Sequence, residues 1–161
     1  HAMARFDFGQ ILLFGQDGEW WTDTYGFALG AGLLLRERVS IGVGFRASDH
    51  ESIASANDGT ALEDLSMWAV DVNGLWWTRW GPLRFRTGAG IGLGRMSIDS
   101  PLRAQEDWLV HVSTPLELSW PIWIGLGLAM RIEPTLILRT EDDATRNSYL
   151  LPAMVGLRYG K

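Results

Sequence analysis

Large apolar residues alternate with small or polar ones along most of the chain, and the 3.6-residue period of an amphipathic helix is nearly absent. From Tyr25 the odd positions read Tyr25, Phe27, Leu29, Ala31, Leu33 and Leu35, against Gly26, Ala28, Gly30, Gly32, Leu34 and Arg36. The split recurs from Leu83, where Phe85, Thr87, Ala89, Ile91 and Leu93 alternate with Arg84, Arg86, Gly88, Gly90, Gly92 and Gly94. It is cleanest where Trp108, Val110, Val112, Thr114, Leu116, Leu118 and Trp120 alternate with Leu109, His111, Ser113, Pro115, Glu117 and Ser119. This period predicts eight strands, over 4–15, 24–36, 39–48, 66–80, 83–98, 108–120, 122–138 and 148–160.

The connections alternate in length. Long ones cover 16–23, 49–64, 99–107 and 139–147, and short ones fall at Glu37-Arg38, Gly81-Pro82 and Pro121. All the long loops then lie at one end, and the tight turns and both termini at the other. None is long enough for a βαβ crossover, so the prediction is an all-β, eight-stranded up-and-down antiparallel barrel.

Which face points outward is a question of volume. An eight-stranded barrel has an interior just wide enough for side chains to fill it. Packing every Phe, Trp, Tyr, Leu and Ile inward would overfill it, and the row Gly88, Gly90, Gly92, Gly94 would be left in water. Turning the large face outward to acyl chains resolves both problems, with glycines and a few paired charges inside. On that outward face Gln10 is the sole strongly polar member and no charge occurs until Arg95. The barrel is therefore expected to span a membrane.

The aromatic residues sort the same way. Phe6, Trp76, Trp80, Phe85, Trp120, Trp123 and Tyr159 fall toward the short turns, and Phe14, Tyr25, Phe45, Trp68, Trp108 and Tyr149 toward the long loops. Two belts with aliphatics between them match the two interfaces of a bilayer, where amphipathic rings settle at headgroup depth.

Composition narrows the reading further. Among the 161 residues are 19 Gly and 9 Trp but no Cys, which excludes disulfides, thiolate metal sites and a cysteine nucleophile. The longest apolar runs, Gly26 to Leu35 and Pro121 to Met130, are too short for a membrane helix. With a net charge of −5 and no basic stripe, nucleic acid is not an expected partner. Of the 19 acids only Asp7, Glu37, Asp71, Glu117 and Glu133 lie outside the long loops, while Arg36, Arg38, Arg79, Arg84, Arg86 and Lys161 gather at the other end. His1-Ala2-Met3 reads as the remnant of an expression tag, leaving 4–161 as one barrel domain.

With these features the chain resembles the small eight-stranded outer-membrane barrels of Gram-negative bacteria, the class of the OmpA membrane domain and OmpX. Strand number, connection lengths, the belts and Tyr159 near the chain end carry the resemblance; the chain departs from the pattern by continuing through Gly160-Lys161. The resemblance implies an outer-membrane location, long loops outside, periplasmic termini, and contact with outer-membrane lipid and lipopolysaccharide. A structural or surface-interaction role with an envelope protein partner follows as the first expectation. A lipid-active barrel, either a lipid A-modifying enzyme or a lateral carrier of hydrophobic ligands, is the alternative.

Candidate chemistry lies on the inward face. Asp7, Asp71, Arg84, Arg86, Glu117, Arg131, Glu133 and Arg158 are expected to pair into a salt-bridged plug, because a charge left alone in so dry a site costs several kcal/mol. His111 and Ser113 share the inward face of the sixth strand, so with Glu133 they form a candidate base, nucleophile and orienting acid. Outer-membrane lipid A deacylases carry a His-x-Ser pair on the penultimate strand, but here that strand reads Arg131-Ile132-Glu133-Pro134, and the carry-over fails there. Pro115, Pro134 and Pro152 interrupt three successive strands. Pro134 and Pro152 are placed toward the loop end, where a gap in the wall is expected to admit a lipid tail, an arrangement similar to that of the barrel palmitoyltransferases. The segment Ala56-Asn57-Asp58-Gly59-Thr60 is turn chemistry whose oxygen spacing matches no calcium loop, so neither a metal nor a cofactor is assigned.

Overall fold

The computed structural model describes residues 2–15, 21–36, 38–51, 64–99, 105–141 and 144–160. The Ala56–Thr60 turn and most of the first three long connections lie outside them. The elements are β1 (Ala2–Gly15), β2 (Thr24–Arg36), β3 (Val39–Glu51), β4 (Asp64–Trp80), β5 (Leu83–Asp99), β6 (Gln105–Ser113), β7 (Leu116–Trp123), β8 (Leu126–Ile132), β9 (Thr135–Glu141) and β10 (Ala144–Gly160). Each of β1 to β5 pairs antiparallel with the next, and β10 closes the sheet against β1 from Met3↔Gly160 to Gly15↔Ser148.

The ten strands form eight staves. β5 pairs β6 as far as Gly90↔Ser113 and resumes on β7 at Thr87↔Leu116 in the same register, so β6 and β7 are one stave broken at Thr114-Pro115. β8 and β9 likewise are one stave broken at Glu133-Pro134, with β10 pairing both. The result is the closed up-and-down barrel that the period predicted.

β3 runs on to Glu51, and β4 and β6 start at Asp64 and Gln105, a few residues beyond the predicted bounds; four further features differ from the sequence reading. β1 starts at Ala2, so Ala2 and Met3 belong to the ladder. The third short turn lies at Ile124-Gly125 and not at Pro121; Gly125 takes the left-handed φ of 77° that the turn requires, while Pro121 pairs with Gly127 beside a bulge. Most of the predicted fourth long loop, 139–147, is strand, because Thr135–Glu141 and Ala144–Leu150 pair as a hairpin. From Arg139 to Asn147 the sequence no longer alternates large apolar with small residues, while the backbone pairing persists. Finally, Pro152 does not break its own strand, being the central residue of the continuous 17-residue β10.

The outward face is apolar at every level. Ile91 and Leu93 are 60% and 59% exposed, and Phe6, Phe14, Tyr25, Trp68, Trp76, Trp80, Phe85, Trp108, Trp123, Tyr149 and Tyr159 also face out. An apolar surface that encircles a whole molecule far exceeds the patches water-soluble monomers carry. Inside, the glycines of β5 make room for their neighbours. Gly94, Gly92 and Gly90 stand opposite Leu109, His111 and Ser113. A Cβ at Gly92 would strike the His111 ring and the Val70 carbonyl.

Candidate functional site

Period-two geometry sends one side chain in two into the lumen, and the buried charges come from most of the staves. Arg158 on β10 donates to Asp7 on β1 at 2.5 Å, and its Nε and Nη2 donate to the Glu117 carboxylate on β7 at 2.9 and 2.7 Å. Glu117 also meets Arg86 of β5 at 3.4 Å and Arg131 of β8 at 3.5 Å. Arg131 Nε donates to Glu133 at 2.8 Å, and Glu133 in turn meets Arg46 of β3 at 3.3 Å. Asp7, Glu117 and Arg131 are no more than 3% exposed, so one network crosses the lumen screened from bulk solvent.

Six of the eight predicted members belong to this network. Asp71 is buried beside it, accepting from Asn73 Nδ2 at 2.7 Å. Arg84 stands apart: its guanidinium lies 5.8 Å from the centroid of Trp77 at the short-turn mouth, and it pairs with no carboxylate among the described residues. Sequence reasoning missed Arg5 and Arg46. Both share the inward parity, Arg46 with Gly42, Gly44 and Ser48, and that parity was the signal available.

A second filled layer was not foreseen. Toward the loop end the lumen is filled by apolar side chains, including Ile11, Leu65, Met96, Leu109 and Ile137, so the interior is not uniformly small or charged. Trp21, from the first long connection, is buried in the same cluster. Its segment is pinned there, with Thr22 N–H donating to the Glu51 carbonyl at 2.9 Å and Leu13 N–H to Asp23 Oδ1 at 3.1 Å.

The candidate His-Ser-Glu constellation does not assemble. His111 and Ser113 are each 1% exposed, and neither ring nitrogen of His111 nor the Ser113 hydroxyl has a hydrogen-bond partner among the described residues. Glu133 is held by Arg131 and Arg46. A base must reach its nucleophile and be oriented by its acid, and here both contacts are missing.

The prolines lie side by side, but halfway along the wall and not toward the loop end. β8 and β9, with seven residues each, flank the break at Pro134. The register is unbroken and two hydrogen bonds cross the row: Thr114 N–H to the Pro134 carbonyl and Glu133 N–H to the Pro152 carbonyl, both 3.0 Å. Pro152 has no N–H to return to Glu133, and the Thr135 hydroxyl supplies that bond to the Glu133 carbonyl at 2.9 Å. Each proline thus removes one rung without parting the staves.

Several solved structures share this closed-barrel fold. Neisserial surface protein A matches with a TM-score of 0.77 at 12% identity, over 98% of this chain and 96% of that one. The fold is that of a small bacterial outer-membrane β-barrel. A major outer membrane protein of Thermus thermophilus gives a TM-score of 0.62 at 11% identity over 99% of both chains. Ail, the attachment invasion locus protein of Yersinia pestis, gives 0.52 at 12% identity, covering 98% of this chain and 97% of its own. No protein-family model matches the chain, and no curated protein matches it in sequence. At these identities the outer-membrane barrels share a fold with this chain, and its function must be argued from its own residues.

Proposed function

We propose that the chain is an integral barrel of the bacterial outer membrane, closed to diffusion, that serves as a structural or surface-interaction protein. The observation that carries this reading is the doubly filled lumen, with a charged network at mid-height and an apolar seal toward the loops. The two aromatic belts suit the two interfaces of a bilayer. In the orientation proposed, the acid-rich strand ends meet the outside and the short turns and termini the periplasm. Glu51, Asp64 and Asp99 stand opposite one another on three neighbouring staves, so the outer rim is anionic. Ail has been solved with the heparin analogue sucrose octasulfate, but this rim suits a cationic partner, or lipopolysaccharide bridged by divalent cations, better than a sulfated polyanion.

Planar-bilayer recording of the refolded chain tests the closure: no stable conductance steps are expected, and large stable ones would overturn the reading. Lipid A from cells with and without the protein should show the same acyl pattern. A changed pattern would favour a lipid-active barrel instead. Protease applied to intact cells should cut within the acid-rich loops and spare the short turns.

A further inference from the structure

We infer that the short-turn mouth of the barrel is a binding site for phosphate groups. A cavity of about 390 Å³ opens there, within the size range of small-molecule sites. Its walls carry Arg79, Arg84, Arg86 and Arg158 and, among the described residues, no carboxylate. Arg86 and Arg158 form the floor, where both are tied to Glu117. Arg79 and Arg84 are held differently: their guanidinia lie 5.6 and 5.8 Å from the centroid of Trp77, within cation–π distance, and neither pairs with an acid among the described residues.

Charge balance points the same way. The described lumen contains Arg5, Arg46, Arg86, Arg131 and Arg158 against Asp7, Asp71, Glu117 and Glu133, a surplus of one cation before Arg79 and Arg84 are added. A low-dielectric lumen with excess positive charge calls for an anion. Fixed guanidinium forks approaching from several sides suit a tetrahedral oxyanion. The volume exceeds that of a bare phosphate, and Trp77, Trp120 and Trp123 give the remainder an aromatic lining, so the ligand class is a phosphate ester with an organic body. Its source is either a soluble monoester or the headgroup of an inner-leaflet phospholipid.

The test is 31P NMR of the refolded full chain in a phosphorus-free detergent, titrating phenyl phosphate in one arm and phosphatidylglycerol in the other. Saturable line broadening with phenyl phosphate identifies a soluble ester, and broadening confined to phosphatidylglycerol identifies a headgroup; either supports the site. Arg79→Gln with Arg84→Gln should weaken binding at least tenfold, while Arg84→Lys, which keeps the charge and loses the fork, should fall between. Both side chains lie outside the buried network, and heat-shifted gel mobility checks that the variants fold. No saturable binding in either arm, or equal binding by the folded double variant, overturns the inference. Closure of the lumen further up does not bear on this outcome.

Discussion

Glu117 receives three guanidinia, from Arg86, Arg131 and Arg158, and its own side chain is 1% exposed. Glu117→Gln keeps the shape and leaves three buried cations facing a neutral amide, so a loss of about 3–5 kcal/mol is expected. Arg131→Ala should cost less, about 1.5–3 kcal/mol, because Glu117 keeps Arg86 and Arg158 and Glu133 keeps Arg46. Asp49→Ala, on an exposed strand position, should stay within about 0.5 kcal/mol. Urea unfolding in detergent ranks the three, and equal midpoints for Glu117→Gln and Asp49→Ala would mean that the network is hydrated. Glycine gives a second contrast. A Cβ at Gly156 would strike the Asp7 carboxylate and the Phe6 carbonyl, whereas one at Gly74 meets nothing. Gly156→Ala should destabilise by about 1–3 kcal/mol, and Gly74→Ala should be neutral or stabilising by up to about 1 kcal/mol. The same unfolding assay decides, and a tolerated Gly156→Ala would show that both the Asp7 side chain and the Phe6 backbone can give way.

At the scale of elements the row of prolines is the feature to test, because lateral access needs the staves to part there. Thr114 and Glu133 each donate to a proline carbonyl at 3.0 Å, so their amides should exchange with solvent deuterium as slowly as those of Val112 and Ile132. Exchange more than tenfold faster at both would show that the wall opens at Pro134, and a lipid-tail entry would regain its footing. The staves themselves were legible because period two survives wherever one face meets lipid and the other a crowded lumen, as from Trp108 to Trp120. It failed as a guide where the contrast between faces was lost. Thr135 to Leu150 pairs as a hairpin although most of it reads as loop, and Ile11, Leu65, Met96 and Ile137 are buried inward although an apolar side chain reads as lipid-facing. Parity showed that Asp7, Glu117, Glu133 and Arg158 turn inward. Which acid reaches which arginine depends on the stagger of the closed barrel, a relation between distant strands that no local spacing encodes. That is why Arg84, of the right parity, ends at Trp77 and outside the network.

In the closed barrel proposed here, the charged and apolar layers act in series, and this sets what it takes to make it leak. Resistances along one path add, so the larger governs the current, and removing either seal leaves the other in place. Glu117→Gln loosens the charged layer but does not touch Ile11, Leu65, Met96 and Ile137, which stay packed with Trp21 above it. Leu65→Ala with Met96→Ala empties part of the apolar layer, yet ions entering from the loop end still meet Glu133 bridged by Arg46 and Arg131. Neither variant should therefore conduct in a planar bilayer, although each should unfold at lower urea than the parent. The triple variant, with both layers weakened and its fold verified by heat-shifted mobility, should give measurable cation or anion current. Which ion passes follows from the charge left behind: losing Glu117 raises the surplus of arginines over acids, so anions should carry most of it. A conducting Glu117→Gln single variant would show that the apolar layer does not seal, and cation selectivity in the triple variant would show that the arginines do not line the path.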